Sequence, residues 1–212
     1  WRLGELDRLG VAIRYETMAV AADVFELEPE IVVIATGGLP QSPALAAGED
    51  LVTSSWDIIA DAAKPGDSVL VYDDNGGHQG MTAAEIAAQS GSKVELVSPE
   101  RLFAPEMGGM NHASYMAAFH KAGVRVTINT RLKSVRREGN RLVAALASDF
   151  AEGFSEERQV DQVVVEHGTL PLDELYRELK PQSSNGGAVD YRGLISMGPI
   201  FPSRNPDGRF AL

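Results

Sequence analysis

The sequence predicts an α/β fold, a parallel sheet with an antiparallel hairpin crossover, and three observations predict it. The runs "IVVI" at 31–34 and "VVV" at 163–165 have the unbroken hydrophobicity of strands buried on both faces of a parallel sheet. Strand-like and helix-like segments alternate from residue 68 onward at the spacing of a βαβ unit. The phrase "IVVIATGGLP", residues 31–40, returns as "QVVVEHGTLP", residues 162–171.

With 212 residues, 44% of them hydrophobic and 23% charged, the chain has the composition of a globular protein of one or two domains. A formal charge of −11 argues against a nucleic-acid partner, which would need clustered Lys and Arg. Any bound phosphate is expected to rest on backbone N–H groups and helix N-termini. No apolar run approaches the roughly 18 residues that span a bilayer, so no membrane partner is expected. The absence of cysteine rules out thiolate chemistry and cysteine-ligated metals within these residues and fits a cytoplasmic protein.

"WRLGELDRLGVAIRYET" reads as a helix end, a cap at Gly10 and a strand in which Val11, Ile13 and Tyr15 alternate. A second strand follows at 31–34. Residues 41–66 read as a connection with a short helix at 58–63. "SVLVY" is then a strand, "DDNGGHQG" a glycine-rich loop, "MTAAEIAAQSG" a helix stopped at Gly91, and "KVELVS" a strand. "NHASYMAAFHKAG" gives a helix closed by Gly123, and "VRVTINT" a strand. "LKSVRREGNRLVAALASD" alternates about Gly139-Asn140 as an antiparallel hairpin. "VDQVVVEHG" returns to a buried strand, residues 172–179 form a short helix, and the tail is loop-rich.

The repetition is wider than one phrase. "LDRLGVAIRYET" laid on "FHKAGVRVTINT" places Gly10 on Gly123, an offset of 113, whereas "VVIATGGLP" on "VVVEHGTLP" gives 131. The 18 extra residues fall where the second copy carries its hairpin, so two copies of one domain are expected. The first copy's own glycine loop would lie about 40 residues before Trp1, one βαβ unit upstream. The chain is therefore expected to start inside a domain. The assignment is residues 1–50 with 173–212 as the remainder of the first copy, and 66–172 as the second.

In that second domain Asn75, Gly77 and Gly80 fit G-x-G-x-x-G, with Asn75 holding the first glycine's place because Asn tolerates positive φ. Ser98, at the end of the next strand, stands where an acidic residue would take the ribose hydroxyls. Gly168 closes the facing strand, and Glu166 and His167 replace Ala35 and Thr36 of the first copy. A carboxylate about 6 Å from a phosphate costs on the order of 3 kcal/mol at an effective dielectric near 20, or about a hundredfold in affinity. The expectation is a degraded second site in which NAD(P) binding is doubtful.

"IVVIATGGLP", "SSWDIIA", "VLVYDDNGGHQGMTAAEIA", "VELVSPERLFAPEMG" and "VDQVVVEHGTLPLDELY" together resemble the C-terminal region of the trimethylamine dehydrogenase and 2,4-dienoyl-CoA reductase family of old-yellow-enzyme-like flavoproteins. "VYDDNGGHQG" resembles the amine-dehydrogenase and demethylase branch more than the reductase branch. The resemblance implies two FAD/NAD(P)-binding, glutathione-reductase-like domains of three-layer ββα form. It implies FAD or ADP in a crevice at Ala35, Thr36, Gly37 and Gly38. FMN, a 4Fe–4S cluster and the catalytic residues would lie in a barrel outside these residues. It further implies an electron-transfer flavoprotein as partner and a homo-oligomeric parent. Two alternatives stand beside it, a non-catalytic ADP-binding or docking module and an NAD(P)H-dependent enoyl reductase of the same family.

Other residues read more simply. His78 is a loop-surface histidine, and His112 and His120 share a helix without a third ligand. His167 is a candidate for lining a cleft, with a packed structural histidine as the alternative. Asp149, Glu152, Glu156 and Glu157 form a solvated hairpin tip, and Met107, Met110 and Met116 fill core. No Ser-His-Asp arrangement is readable, so no catalytic residue and no metal ligand is assigned.

Overall fold

A computed structural model describes residues 1–41 and 45–212. In chain order the elements are α1 (Arg2–Arg8), α2 (Ala21–Glu26), β1 (Gly38–Pro40), β2 (Thr53–Ser54), α3 (Ser55–Ile59), β3 (Ser68–Asp73), α4 (His78–Gln89) and β4 (Lys93–Val97). There follow α5 (Gly109–Ala122), β5 (Arg125–Thr127), β6 (Arg131–Glu138), β7 (Arg141–Ser148), β8 (Ala151–Val160), β9 (Gln162–Glu166), β10 (Thr169–Pro171), α6 (Glu174–Leu179) and α7 (Tyr191–Ile195). They divide into two compact units, Trp1–Gly37 with Pro171–Leu212, and Gly38–Leu170.

The unit Gly38–Leu170 is a three-layer α/β structure with a parallel sheet in the middle, in the order β2-β9-β3-β4-β5. Alternation along β3 decides which layer each residue meets. Val69 and Val71 pack with Met81, Ala84, Leu96 and Phe119 on the helix side, while Leu70 and Tyr72 pack with Leu132, Leu142, Leu146 and Val163 on the other. The small residues Ala83, Ala84 and Ala87 let α4 lie close to the sheet. The third layer is the antiparallel sheet β6-β7-β8, turned at Gly139 with φ +61°. Arg158 of β8 reaches Glu95 of β4 at 2.9 Å with both side chains largely covered, an ion pair that ties the outer layer to the central sheet.

Within this unit, residues 41–66 and the acidic segment differ from the sequence-based expectation. Residues 41–66 are more than a connection, because Thr53–Ser54 adds a parallel strand to β9 and the helix runs from Ser55 to Ile59, not from 58 to 63. Ser54 caps that helix by accepting the Trp56 N–H, which fixes its start earlier than the apolar pattern suggested. The acidic residues 152, 156 and 157 do not form a turn tip. They lie on β8, where Glu157 pairs with Arg136 of β6 at 2.7 Å and Glu156 with Arg158 at 2.8 Å. The backbone ladder to β7 makes this segment a strand, with the Glu157 pair crossing to β6 and the Glu156 pair staying within β8.

The unit Trp1–Gly37 with Pro171–Leu212 is built from α1, α2, α6, α7 and two parallel bridges, Ile31 to Ala211 and Ser183 to Phe210. Its small core holds Leu179, Phe210 and the fully buried Asn185, whose amide donates to Ala188 and Leu212 and accepts from the Leu212 N–H. The strands read at 11–15 and 31–34 are not formed among the described residues beyond the Ile31 bridge. Val33 is 83% exposed, since a strand without a neighbour on each side has neither ladder nor covered face.

Leu70 is fully buried between the central and outer sheets. Leu70→Ala is expected to destabilise the chain by about 2–5 kcal/mol, measured by urea unfolding.

Candidate functional site

In the unit Gly38–Leu170, strand order reverses at β3: β4 lies on one side and β9, much later in sequence, on the other. Ligand crevices of open α/β sheets form at such a point, outside the carboxyl ends of the strands. The strands end here in a matched pair, Asp73 opposite Glu166, both only 2% exposed. Their side chains follow Val71 and Val164 toward the helical layer.

Asp73 turns back into the β3–α4 connection, where its Oδ1 accepts the N–H of Asn75 at 3.0 Å and of Gly76 at 2.8 Å. A Cβ on Gly80 would lie 2.5 Å from Asp73 Oδ2, so glycine at 80 makes room for this carboxylate. Burial pushes the Asp73 carboxyl up to about 6. The Gly76 and Asn75 N–H groups act against this, and the nearby Glu166 and Asp74 charges add to it. Glu166 is held by Ser55 Oγ–H at the start of α3 and by the Gly168 N–H at 2.9 Å. Its charge is therefore directed into the interior beside Ser55, a correction to the expectation that Glu166 lies where a pyrophosphate would rest.

Asp74 and His167 meet on the opposite face. His167 Nδ1 lies 2.9 Å from both Asp74 oxygens, the imidazole side chain is 8% exposed, and its ring tilts against Tyr72 at 5.6 Å. Burial, then the Asp74 charge, pushes the Tyr72 phenol well above its ordinary range. Tyr72 is also near Arg131, which grips Asp149 with two nitrogens. His167 thus belongs to a packed polar cluster more than to an open cleft.

The glycine fingerprint is rearranged. Positive φ falls on Gly76 (+72°), and Asn75 is not among the left-handed residues, so the reason given for Asn at 75 does not hold. The Asn75 carboxamide instead fills the space beside Gly168, where a Cβ would stand 3.0 Å from Asn75 Oδ1. Gly77 is the N-cap of α4, which places His78 and Gly80 in the helix and not in the loop. Pro105 packs on Gly76, and the Glu106 N–H donates to the Gly76 carbonyl at 3.1 Å. Ser98 accepts the Glu100 N–H on its hydroxyl and so holds the turn after β4, and with 2% of its surface exposed it lies out of a ribose's reach. The adjoining groove of about 500 Å³ is lined by Asp74, Glu100 and Glu106 against one cation, Arg101. Of the methionines read as core, Met107 is buried but Met110 is 93% exposed.

The equivalent turn of the unit Trp1–Gly37 with Pro171–Leu212 has the opposite character. Ala35, Thr36 and Gly37 are exposed. Gly37 has φ +67° with open space where a Cβ would be, and Thr36 Oγ donates to the Leu172 carbonyl at 2.5 Å. Residues 17–20, Thr36 and Leu172 line a groove of about 520 Å³ here. Gly38 plays a different part, because a Cβ there would overlap the Leu170 carbonyl and only glycine lets β1 lie against β10.

Residues 6–201 match the pyridine nucleotide-disulphide oxidoreductase family. The chain belongs to that family. It is 46% identical to the probable N-methylproline demethylase of Rhizobium meliloti (strain 1021), covering 100% of this chain and 31% of that protein. It is 40% identical to the N,N-dimethylglycine/sarcosine dehydrogenase of Chromohalobacter salexigens, over 94% of this chain and 30% of the relative. The chain thus spans about a third of the length of these relatives. The solved 6-hydroxypseudooxynicotine amine oxidase of Pseudomonas geniculata N1 shares the fold, with a TM-score of 0.70 at 24% identity over 87% of this chain and 29% of that one. The demethylase and the dimethylglycine/sarcosine dehydrogenase uphold the resemblance to the amine-dehydrogenase and demethylase branch. The parallel sheet with its antiparallel layer is the FAD/NAD-binding fold of the family.

Two consequences can be measured. The folded chain keeps the Asp73 proton up to about pH 6, whereas the unfolded chain loses it near pH 4. This residue therefore makes stability fall as pH rises between those values, by on the order of 2–3 kcal/mol. Urea midpoints from pH 4 to 7 should show that trend relative to Asp73→Asn, in which it is absent. Ser55→Ala leaves the buried Glu166 short of a donor and should cost about 1–3 kcal/mol in the same assay.

Proposed function

We propose that this chain is the dinucleotide-binding region of a longer flavin-dependent oxidoreductase of the amine dehydrogenase or N-demethylase type. The unit Trp1–Gly37 with Pro171–Leu212 carries FAD or ADP, and the unit Gly38–Leu170 retains the fold of an NAD(P) domain without taking up NAD(P). The observation that carries this reading is the 46% identity, over the whole chain, to a probable N-methylproline demethylase. The second unit's glycine turn supports it, since Gly168 is covered by Asn75 and the turn beside it holds a buried carboxylate. Ala35, Thr36 and Gly37 would hold the nucleotide through backbone groups.

FMN and an iron–sulfur cluster belong, in this reading, to a preceding barrel, as the family resemblance implies. The oxidation of an amine substrate takes place there, and the electrons go to an electron-transfer flavoprotein instead of NAD(P). The parent is a cytoplasmic homo-oligomer. Among the described residues no helix is long and apolar enough to cross a membrane.

A second reading is favoured by one observation. Met18, Val33, Ile195 and Met197 are each more than four-fifths exposed, as on a surface that another polypeptide covers. The region would then bind ADP, or nothing, and serve to dock the rest of the parent.

Calorimetric titration of the chain with FAD, ADP and NADPH decides between these. Saturable binding of FAD supports the redox role, and binding of ADP alone, or of none, supports the docking role. Micromolar NADPH binding with neither FAD nor ADP bound would sink both. Gly37→Val places a branched side chain in the open crevice at a left-handed φ and should weaken adenine-nucleotide binding at least about tenfold.

A further inference from the structure

A dinucleotide-binding turn keeps the N-terminus of its helix for the pyrophosphate, whose charge that end attracts. In the unit Gly38–Leu170 this region is already supplied with an anion. Asp73 lies beneath the turn with Oδ1 on the Asn75 and Gly76 N–H groups and Oδ2 against Gly80. No side chain caps α4 at Gly77, so the field of its first turn acts on Asp73. The neighbouring acids are engaged elsewhere: Glu166 with Ser55 and Gly168, and Asp74 with His167.

We infer that Asp73 is the residue that decides what this turn accepts: its buried carboxylate stands in for the ligand's charge and excludes an external diphosphate. The inference rests on the reading of this unit as a nucleotide fold that does not take up NAD(P), and it names the cause. Asp73→Asn keeps an oxygen for the two N–H groups and removes the charge, and Asp73→Ser keeps a smaller acceptor. Removing one unit charge about 6 Å from a phosphate, at an effective dielectric near 20, corresponds to about a hundredfold in affinity.

The test titrates NADH into the wild-type chain, D73N, D73S and, as a control on general charge, D74N. Amide hydrogen exchange of the segment 74–81 locates any binding at this turn, separately from adenine-nucleotide binding at Gly37. The expected result is no protection of 74–81 in the wild type or D74N at millimolar NADH, and saturable protection in D73N and D73S with at least tenfold tighter binding. Thermal melts identify the folded variants, and D73S carries the test where D73N does not fold. A folded Asp73 variant without protection at 74–81 overturns the inference and leaves the reading of the unit intact. Equal protection in D74N overturns it as well. Protection of 74–81 in the wild type at micromolar NADH overturns the reading itself.

Discussion

A parallel sheet buried on both faces ends its strands in a crevice where backbone groups have no ladder partner, and whatever fills that crevice determines the chemistry there. In the unit Gly38–Leu170 the filling comes from the chain itself. Asp73 and Glu166 end adjacent strands in register. Two carboxylates so placed would repel each other and lose hydration, so each needs its own donors. Asp73 takes the glycine turn's N–H groups, and Glu166 takes Ser55 from a helix that exists because Ser54 caps it. The start of α3 and the glycine turn each supply one of these carboxylates with its donors.

The two copies of the repeated phrase share a left-handed glycine at equivalent positions, Gly37 at φ +67° and Gly168 at φ +83°. Beside the second, the Asn75 carboxamide fills the adjoining space. The phrase endings Gly38–Pro40 and Thr169–Pro171 pair with each other as β1 and β10. The side chains before the glycine differ, Ala35-Thr36 against Glu166-His167, while its left-handed φ is shared.

Charge also serves the architecture. The chain carries a formal −11, yet on the outer sheet its acids are matched with arginines, Asp149 with Arg131 and Glu157 with Arg136. Pairing with Arg136 holds the Glu157 carboxyl below its usual range, and Arg131 does the same for Asp149. These exposed pairs add little stability each. The more covered Arg158–Glu95 pair joins layers, where the same chemistry is less screened. The crevice mouth lacks such matching, with three acids facing Arg101 alone.

The parallel sheet with its hairpin crossover was legible in the sequence because it rests on local signals: branched apolar runs for β3, β4 and β9, glycines at 91, 123 and 139 that close elements with positive φ, and the repetition of a whole phrase. So was the glycine turn, by spacing. Only tertiary structure decided where the side chains at that turn point. Asp73 reaches back into its own turn, and Glu166 finds Ser55 across 111 residues of sequence, a pairing no spacing rule encodes. It also decided that residues 11–15 and 31–34, strand-like in pattern, form no strand ladder beyond the Ile31 bridge. Composition can mark a segment as able to be a strand, but the hydrogen bonds that make it one belong to a neighbour.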